Sequence, residues 1–393
     1  MRLGEPLALA ATGAVQTLAF VHTGAWLLPW LAAAVLAARV ARARPGRAFV
    51  LGWAFGTGWL LAGVWWLFIS MHRYGALPAL LAAAAVVALA AALSLYLGAA
   101  AAAFARWRRG APAADAALFA SLWLLAELAR GVLFTGFPWV ASGYSQVDAP
   151  LAALAPWLGV YGIGAVLAGL AAWLALAMRR RVPLAFTVAV LLLLAALPLP
   201  QFTRPAGELT VALVQTNVPQ DEKFAAERLP QTLAEAHKAL LEARADLVVL
   251  PETAVPLLPG QLQDFVPGYW QRLVEHFAAG GPGEQRAALV GAPMGDFERG
   301  YTNSVAGLSA ALPPYRYDKA HLVPFGEFIP WGFRWFTDLM NIPLGDFTRG
   351  RLDPPPFVAA GQRIAPNICY EDLFGEELAR RFVPGAAPRP RRR

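Results

Sequence analysis

LPALLAAAAVVALAAALSLYLGAAAAAF, residues 77–104, contains no charged side chain. A helix of about 20 residues crosses the roughly 30 Å hydrocarbon core of a bilayer, so this run is long enough to span it. Working outward, comparable apolar stretches lie near 6–22, 24–41, 48–70, 115–135, 153–177 and 183–200. The sequence therefore predicts a transmembrane helical domain of about seven spans over residues 1–200. Composition agrees, with 58% hydrophobic and 15% charged residues and a mean hydropathy of +0.47, too apolar for an ordinary soluble chain. The first stretch reads as a retained helix: it has no small-residue cleavage site and more apolar helix comes directly after it.

Arginines set an expected orientation. Arg2, then Arg39, Arg42, Arg44 and Arg47, then Arg106, Arg108 and Arg109, then Arg179, Arg180 and Arg181 fall on alternate loops, while the opposite loops carry little beyond Arg73. The positive-inside rule makes the arginine side cytoplasmic, and an odd number of spans then puts the segment from Gln201 outside. The net charge of +7 is thus a matter of topology, and no basic stripe with interleaved aromatics points to nucleic acid. Within the fifth stretch Glu127 and Arg130 share a helical face, as a structural ion pair or as a headgroup contact. Trp53, Trp59, Trp65, Trp66, Trp139 and Trp157 read as interfacial anchors.

Beyond residue 200 charge and turn residues return, and a second domain over 207–383 is expected. LTVALVQ at 209–215 reads as a buried strand, 225–245 as an amphipathic helix and LVVL at 247–250 as the next buried strand, which together make a β, α, β unit. A helix over about 268–279, a strand at 287–290 running into a Gly291, Ala292, Pro293 turn, and a further strand over 303–308 complete a layered α/β pattern.

Three residues in this half carry chemistry. Glu252 follows a strand in LVVLPET, where an α/β sheet presents side chains to its crevice, although a turn-capping carboxylate would look the same. Lys319 and Glu327 flank the turn of YDKAHLVPFGEF, and solvated loop charges are the plain alternative. Cys369 in PNICYED is the single cysteine of the chain, so it forms no internal disulfide. A thiol after an apolar strand is core filling unless a nearby cation and base favour its thiolate.

LVVLPET, YDKAHLVPFGEF and PNICYED, in that order, resemble the Glu, Lys and Cys motifs of the nitrilase superfamily. HLVPFGEF, together with HRYG at 72–75 and GFPWVASGYSQVD at 136–148, resembles the apolipoprotein N-acyltransferase branch in particular. The resemblance implies an αββα nitrilase-like sandwich after the membrane domain, with Glu252 as general base, Lys319 as oxyanion stabiliser and Cys369 as nucleophile. It also implies an assisting role for Glu327 and positioning roles for Tyr370 and Glu371. Phe224 stands where the family often has a substrate-region tryptophan.

The implied reaction moves an acyl chain from a phospholipid to Cys369, and then to the N-terminal amine of a diacylglyceryl-modified apolipoprotein. It needs no metal or organic cofactor. The expected location is a bacterial inner membrane with the catalytic domain on the periplasmic side. A membrane-anchored amidase using the same three residues is the alternative within the superfamily. The Pro and Arg tail over 384–393 has no strand or helix periodicity, and the family continues well beyond its nucleophile. On that reading the α/β domain is incomplete and an inactive membrane protein is the second alternative.

Overall fold

A computed structural model describes residues 4–177, 181–196, 202–205, 207–219, 222–279, 286–311, 313–329 and 347–382. Arg179, Arg180, the loop through Trp331 and Trp335, and the tail from 384 lie outside the described residues. The chain forms two units, Met1–Thr203 and Arg204–Arg393.

The first unit is helical. Its helices are α1 (Gly4–Val15), α2 (Leu18–Val21), α3 (Leu27–Val40), α4 (Pro45–Gly63), α5 (Leu67–Ile69), α6 (Ala79–Leu93), α7 (Leu95–Trp107), α8 (Pro112–Val132), α9 (Ala155–Leu176) and α10 (Val182–Ala196). Each of the seven apolar stretches contains helix, but they differ in reach. Among the described residues, Thr23–Val40, Ala79–Trp107, Pro112–Thr135 and Pro150–Leu176 are long and apolar enough to cross a membrane. A fifth candidate, Pro45–Gly63 with Leu67–Tyr74, is bent by 60° and ends in a π-helical turn over Ser70–Tyr74 that carries the HRYG residues His72 and Arg73. The first stretch is broken after Val15, and the last helix is shorter than the four.

Leu36, Val40, Leu51, Phe55, Phe104, Phe119 and Trp123 fill the core of this unit. Trp59 belongs to it too and is no interfacial anchor: it is 3% exposed and stacks on Trp123 at 5.7 Å. One helical turn separates it from Phe55, so the inward face of α4 takes both rings. Trp65 and Trp157 do stand out, at 59% and 63% exposed.

Glu127 and Arg130 form a buried pair at 3.4 Å. Glu127 also accepts from the Ser142 amide and hydroxyl, both at 2.7 Å, and Arg130 donates to the carbonyls of Phe137 and Trp139. These bonds tie α8 to the GFPWVAS segment and satisfy charges that would otherwise be costly in apolar surroundings, which favours the structural reading of the pair.

The second unit is built on a mixed sheet with the order β1 (Val211–Leu213), β2 (Leu247–Val249), β3 (Ala287–Asp296), β4 (Gly300–Leu308) and β5 (Tyr315–Asp318). The first three strands are parallel and the last two join antiparallel. Strand alternation sends Val248, Leu250, Ala288 and Val290 to one face, where α11 (Leu229–Glu242), α12 (Pro259–Phe265) and α13 (Tyr269–Ala278) cover them. Leu247, Ala287 and Leu289 go to the other face, against Phe357 and Ala359 of a hairpin made of β6 (Phe357–Ala359) and β7 (Gln362–Ile364).

Two sequence expectations change. The strand at 209–215 shrinks to β1 and is not buried: among the described residues it is an edge of the sheet and leaves Val211 46% and Leu213 78% exposed. The expected turn at Gly291, Ala292 and Pro293 is instead the middle of β3, paired with β4 out to Asp296. Proline is accommodated there by position. The carbonyls of Leu289 and Gly291 accept from Leu250 and Val255, so by alternation the Pro293 nitrogen points to the same side, past the end of β2, where no ladder bond is lost.

Candidate active site

Glu252 stands just past β2, on a turn that packs tightly across β3. A Cβ on Gly291 would lie 2.3 Å from the Pro251 carbonyl oxygen and 2.7 Å from the Glu252 Cα, so only glycine lets the turn pass this close. Thr253, next in line, holds φ at +55°, a left-handed conformation that a β-branched residue rarely adopts. Glu252 keeps its side chain one-third exposed.

Lys319 follows β5 and is 1% exposed. Its amide donates to the Asn303 carbonyl and its carbonyl accepts from Gly350, so the backbone is pinned on both sides. The ammonium reaches Glu327 at 2.9 Å and Glu252 at 3.5 Å. Burial on its own would lower the lysine pKa, but the carboxylates of Glu327 and Glu252 reverse this and hold it above its ordinary value. Lys319 is therefore a fixed positive charge.

Glu327 is nearly as buried and fully used. It binds Lys319, accepts from the Val323 amide at 2.9 Å and takes an amide donor from Asn303 at 2.6 Å. The same Asn303 nitrogen donates to Glu252 at 2.5 Å. Asn303 thus joins the two carboxylates from β4. The sequence reading treats it only as the start of a strand; its signal is the polar run Thr302, Asn303, Ser304 in an otherwise buried strand.

Cys369 opens a single 3-10 turn, Cys369–Leu373, with φ at +51° and its side chain exposed. Such a strained, outward-held residue is a common device at functional sites. Although the residue is exposed, the thiol is partly desolvated. That desolvation, followed by the negative charges of Glu252 and Glu327, pushes its pKa up, while Lys319 and the Tyr370 amide oppose the rise. All three motif residues therefore act on one another electrostatically.

Glu371 holds the turn from beneath. It is 2% exposed and accepts from the amides of Ile368, Ala320 and His321 and from the Tyr317 hydroxyl, so one carboxylate ties the Cys369 turn to the strand and loop around Lys319. Arg381 extends this brace to Tyr317 and to the Pro366 carbonyl. Tyr370 is buried with its ring edge-on to Phe374 at 5.0 Å. Phe224 is 43% exposed before α11. Its neighbour Lys223 is the group that reaches the site, donating to the Glu252 carbonyl at 3.0 Å. Burial lowers the Lys223 pKa, and the charges of Glu252 and Cys369 counter that.

A thiol, a carboxylate and a buried ammonium so arranged can make and resolve an acyl intermediate, with proton transfer and oxyanion stabilisation supplied by separate groups. Comparison with known proteins bears on which chemistry this is. Residues 12–173 match the family model of the apolipoprotein N-acyltransferase N-terminal domain. The chain is 51% identical over 388 residues to the apolipoprotein N-acyltransferase of Verminephrobacter eiseniae, covering 91% of this chain and 71% of that protein. Its identity to the Ralstonia nicotianae protein of that name is 47%, with 96% and 73% covered. For the Pseudomonas putida protein the identity is 40%, with 98% and 76% covered. Agreement of this kind runs through both the helical unit and the unit that carries Glu252, Lys319 and Cys369, and the chain belongs to the apolipoprotein N-acyltransferase family.

Proposed function

We propose that this membrane acyltransferase moves an acyl chain from a phospholipid to the N-terminal amine of the diacylglyceryl-cysteine of apolipoproteins, by way of a thioester on Cys369. The observation that carries the reading is the convergence of Glu252, Lys319 and Asn303, with the charges of Glu252 and Lys319 acting on a cysteine held at positive φ. Family membership supplies the acyl-transfer class and the lipoprotein acceptor.

In the first step Glu252 takes the thiol proton as the sulfur attacks the ester carbonyl carbon. Lys319 faces the oxyanion that forms. The carbon–oxygen bond of the ester then breaks, and Glu252 returns the proton to the departing lysophospholipid alcohol. In the second step the acceptor amine attacks the thioester and gives a proton to Glu252. The carbon–sulfur bond breaks, an amide is left, and the proton returns to Cys369. Glu327 keeps Lys319 charged and fixed, and Glu371 holds the cysteine turn in place.

Both substrates are lipids, so a catalytic unit attached to several spans meets them where they reside. The arginine pattern supports placing this unit on the periplasmic side of the inner membrane. The test is intact mass spectrometry of the purified protein after mixing with phospholipid. A hydroxylamine-sensitive acyl adduct, absent from Cys369→Ser and discharged by a diacylated lipopeptide, is expected. No hydroxylamine-sensitive adduct on Cys369 and no lipopeptide product would count against the transferase and leave the amidase alternative, to be read by hydrolysis of a soluble amide.

A further inference from the structure

Charges around the thiol do not balance within the motif residues. Glu252 from the turn after β2 and Glu327 from the 323–328 loop bring two carboxylates, and Lys319 from the end of β5 brings one ammonium, which is paired with both. The cluster carries one net negative charge before Cys369 ionises, and both carboxylates oppose ionisation. Passing the thiol proton to Glu252 keeps that net charge but moves it onto sulfur in a partly desolvated place with Glu327 still charged nearby, which burial and like charge disfavour.

Lys223 meets this imbalance. Its ammonium donates to the Glu252 carbonyl at 3.0 Å, it is partly buried, and the charges that act on it are those of Glu252 and Cys369. It enters from the segment before α11, independently of the three motifs. Lys319 is bound to Glu327 and Glu252, whereas Lys223 has no carboxylate within ion-pair distance among the described residues, so its charge remains available to the thiolate.

We propose that Lys223 is a charge-balancing and positioning residue of this site: its ammonium offsets the excess of the two carboxylates so that Cys369 can ionise, while its hydrogen bond holds the Glu252 turn. The proposal rests on Cys369 as the nucleophile. It goes beyond the Glu252, Lys319 and Cys369 set by giving the site a second cation, from a part of the chain outside the motifs.

Because Cys369 is the single cysteine, iodoacetamide alkylation of the full-length protein in detergent reads this thiol alone, with Cys369→Ser as the blank. Lys223→Met removes charge and hydrogen bond, Lys223→Gln keeps a donor without charge, and Lys223→Arg keeps both. Met and Gln are expected to move the pH profile of alkylation up by about one unit and slow the reaction about tenfold at neutral pH, with Arg restoring most of the rate. A wild-type profile for Lys223→Gln would overturn the proposal by reducing Lys223 to a tether. Arg as slow as Met would overturn it as well, since charge then restores nothing. The nucleophile reading fails separately, if wild-type protein takes no acyl adduct from phospholipid.

Discussion

Asn303 concentrates the physics of the site in one side chain, since a single amide nitrogen serves the Glu252 and Glu327 carboxylates. Asn303→Ala would leave both acids short of a donor. A stability loss of about 1–3 kcal/mol is expected, with acyl transfer falling by more than tenfold because Glu252 loses its orientation; thermal unfolding and a lipopeptide acylation assay measure the two. Lys319→Met is the harsher change, as it strands two carboxylates around a buried site and should cost about 3 kcal/mol or more. The folded-state pKa of Lys319 is raised, so its stabilising contribution is complete below the unfolded lysine pKa and is lost only as pH rises through the higher folded value. The Met variant should therefore lose stability throughout the neutral range. The thiol pKa is also raised, so alkylation of Cys369 should keep accelerating with pH beyond the ordinary thiol range. A rate that levels off below it would contradict this electrostatic picture.

At the level of elements, close backbone approach holds the first helices together. A Cβ on Gly58 of α4 would lie 1.9 Å from the Ala10 carbonyl oxygen of α1, and one on Gly13 of α1 would lie 2.0 Å from the Phe55 carbonyl oxygen of α4. Small residues at such crossings let helices pack backbone to backbone where lipid supplies no hydrophobic drive. Gly58→Val should separate α1 from α4 and lower the thermal midpoint or the yield of folded protein. Gly46→Ala, which meets nothing within 4 Å, should be silent by the same measurement. In the other unit, the Glu371, Tyr317 and Arg381 brace joins the cysteine turn to β5. Tyr317→Phe should cost about 1–2 kcal/mol and loosen that turn, seen as faster proteolysis around residues 366–371.

For the whole molecule, the proposed orientation has a direct check. In a Cys369→Ser background, a cysteine placed at Arg42 or Arg108 should be shielded from a membrane-impermeant maleimide in intact spheroplasts, and Cys369 in the native chain should be reachable. Labelling at the two arginine positions with protection of Cys369 would invert the topology. Two different physical signals organise the two units. One is written in runs of apolar residues, while the other is written in strand alternation and completed by contacts between segments far apart in sequence.

Sequence alone was enough for the membrane-type unit and for the α/β character of the second unit, because apolar runs and strand periodicity are local properties of the chain, and motif order named Glu252, Lys319 and Cys369 as the candidates. Tertiary structure decided that β1 is an exposed edge, that Pro293 lies inside a strand, that Trp59 is core, and that Asn303 and Lys223 reach Glu252. Each of these depends on which side of an element faces which neighbour. That is set by pairing and packing over long sequence separations, and no local pattern encodes it.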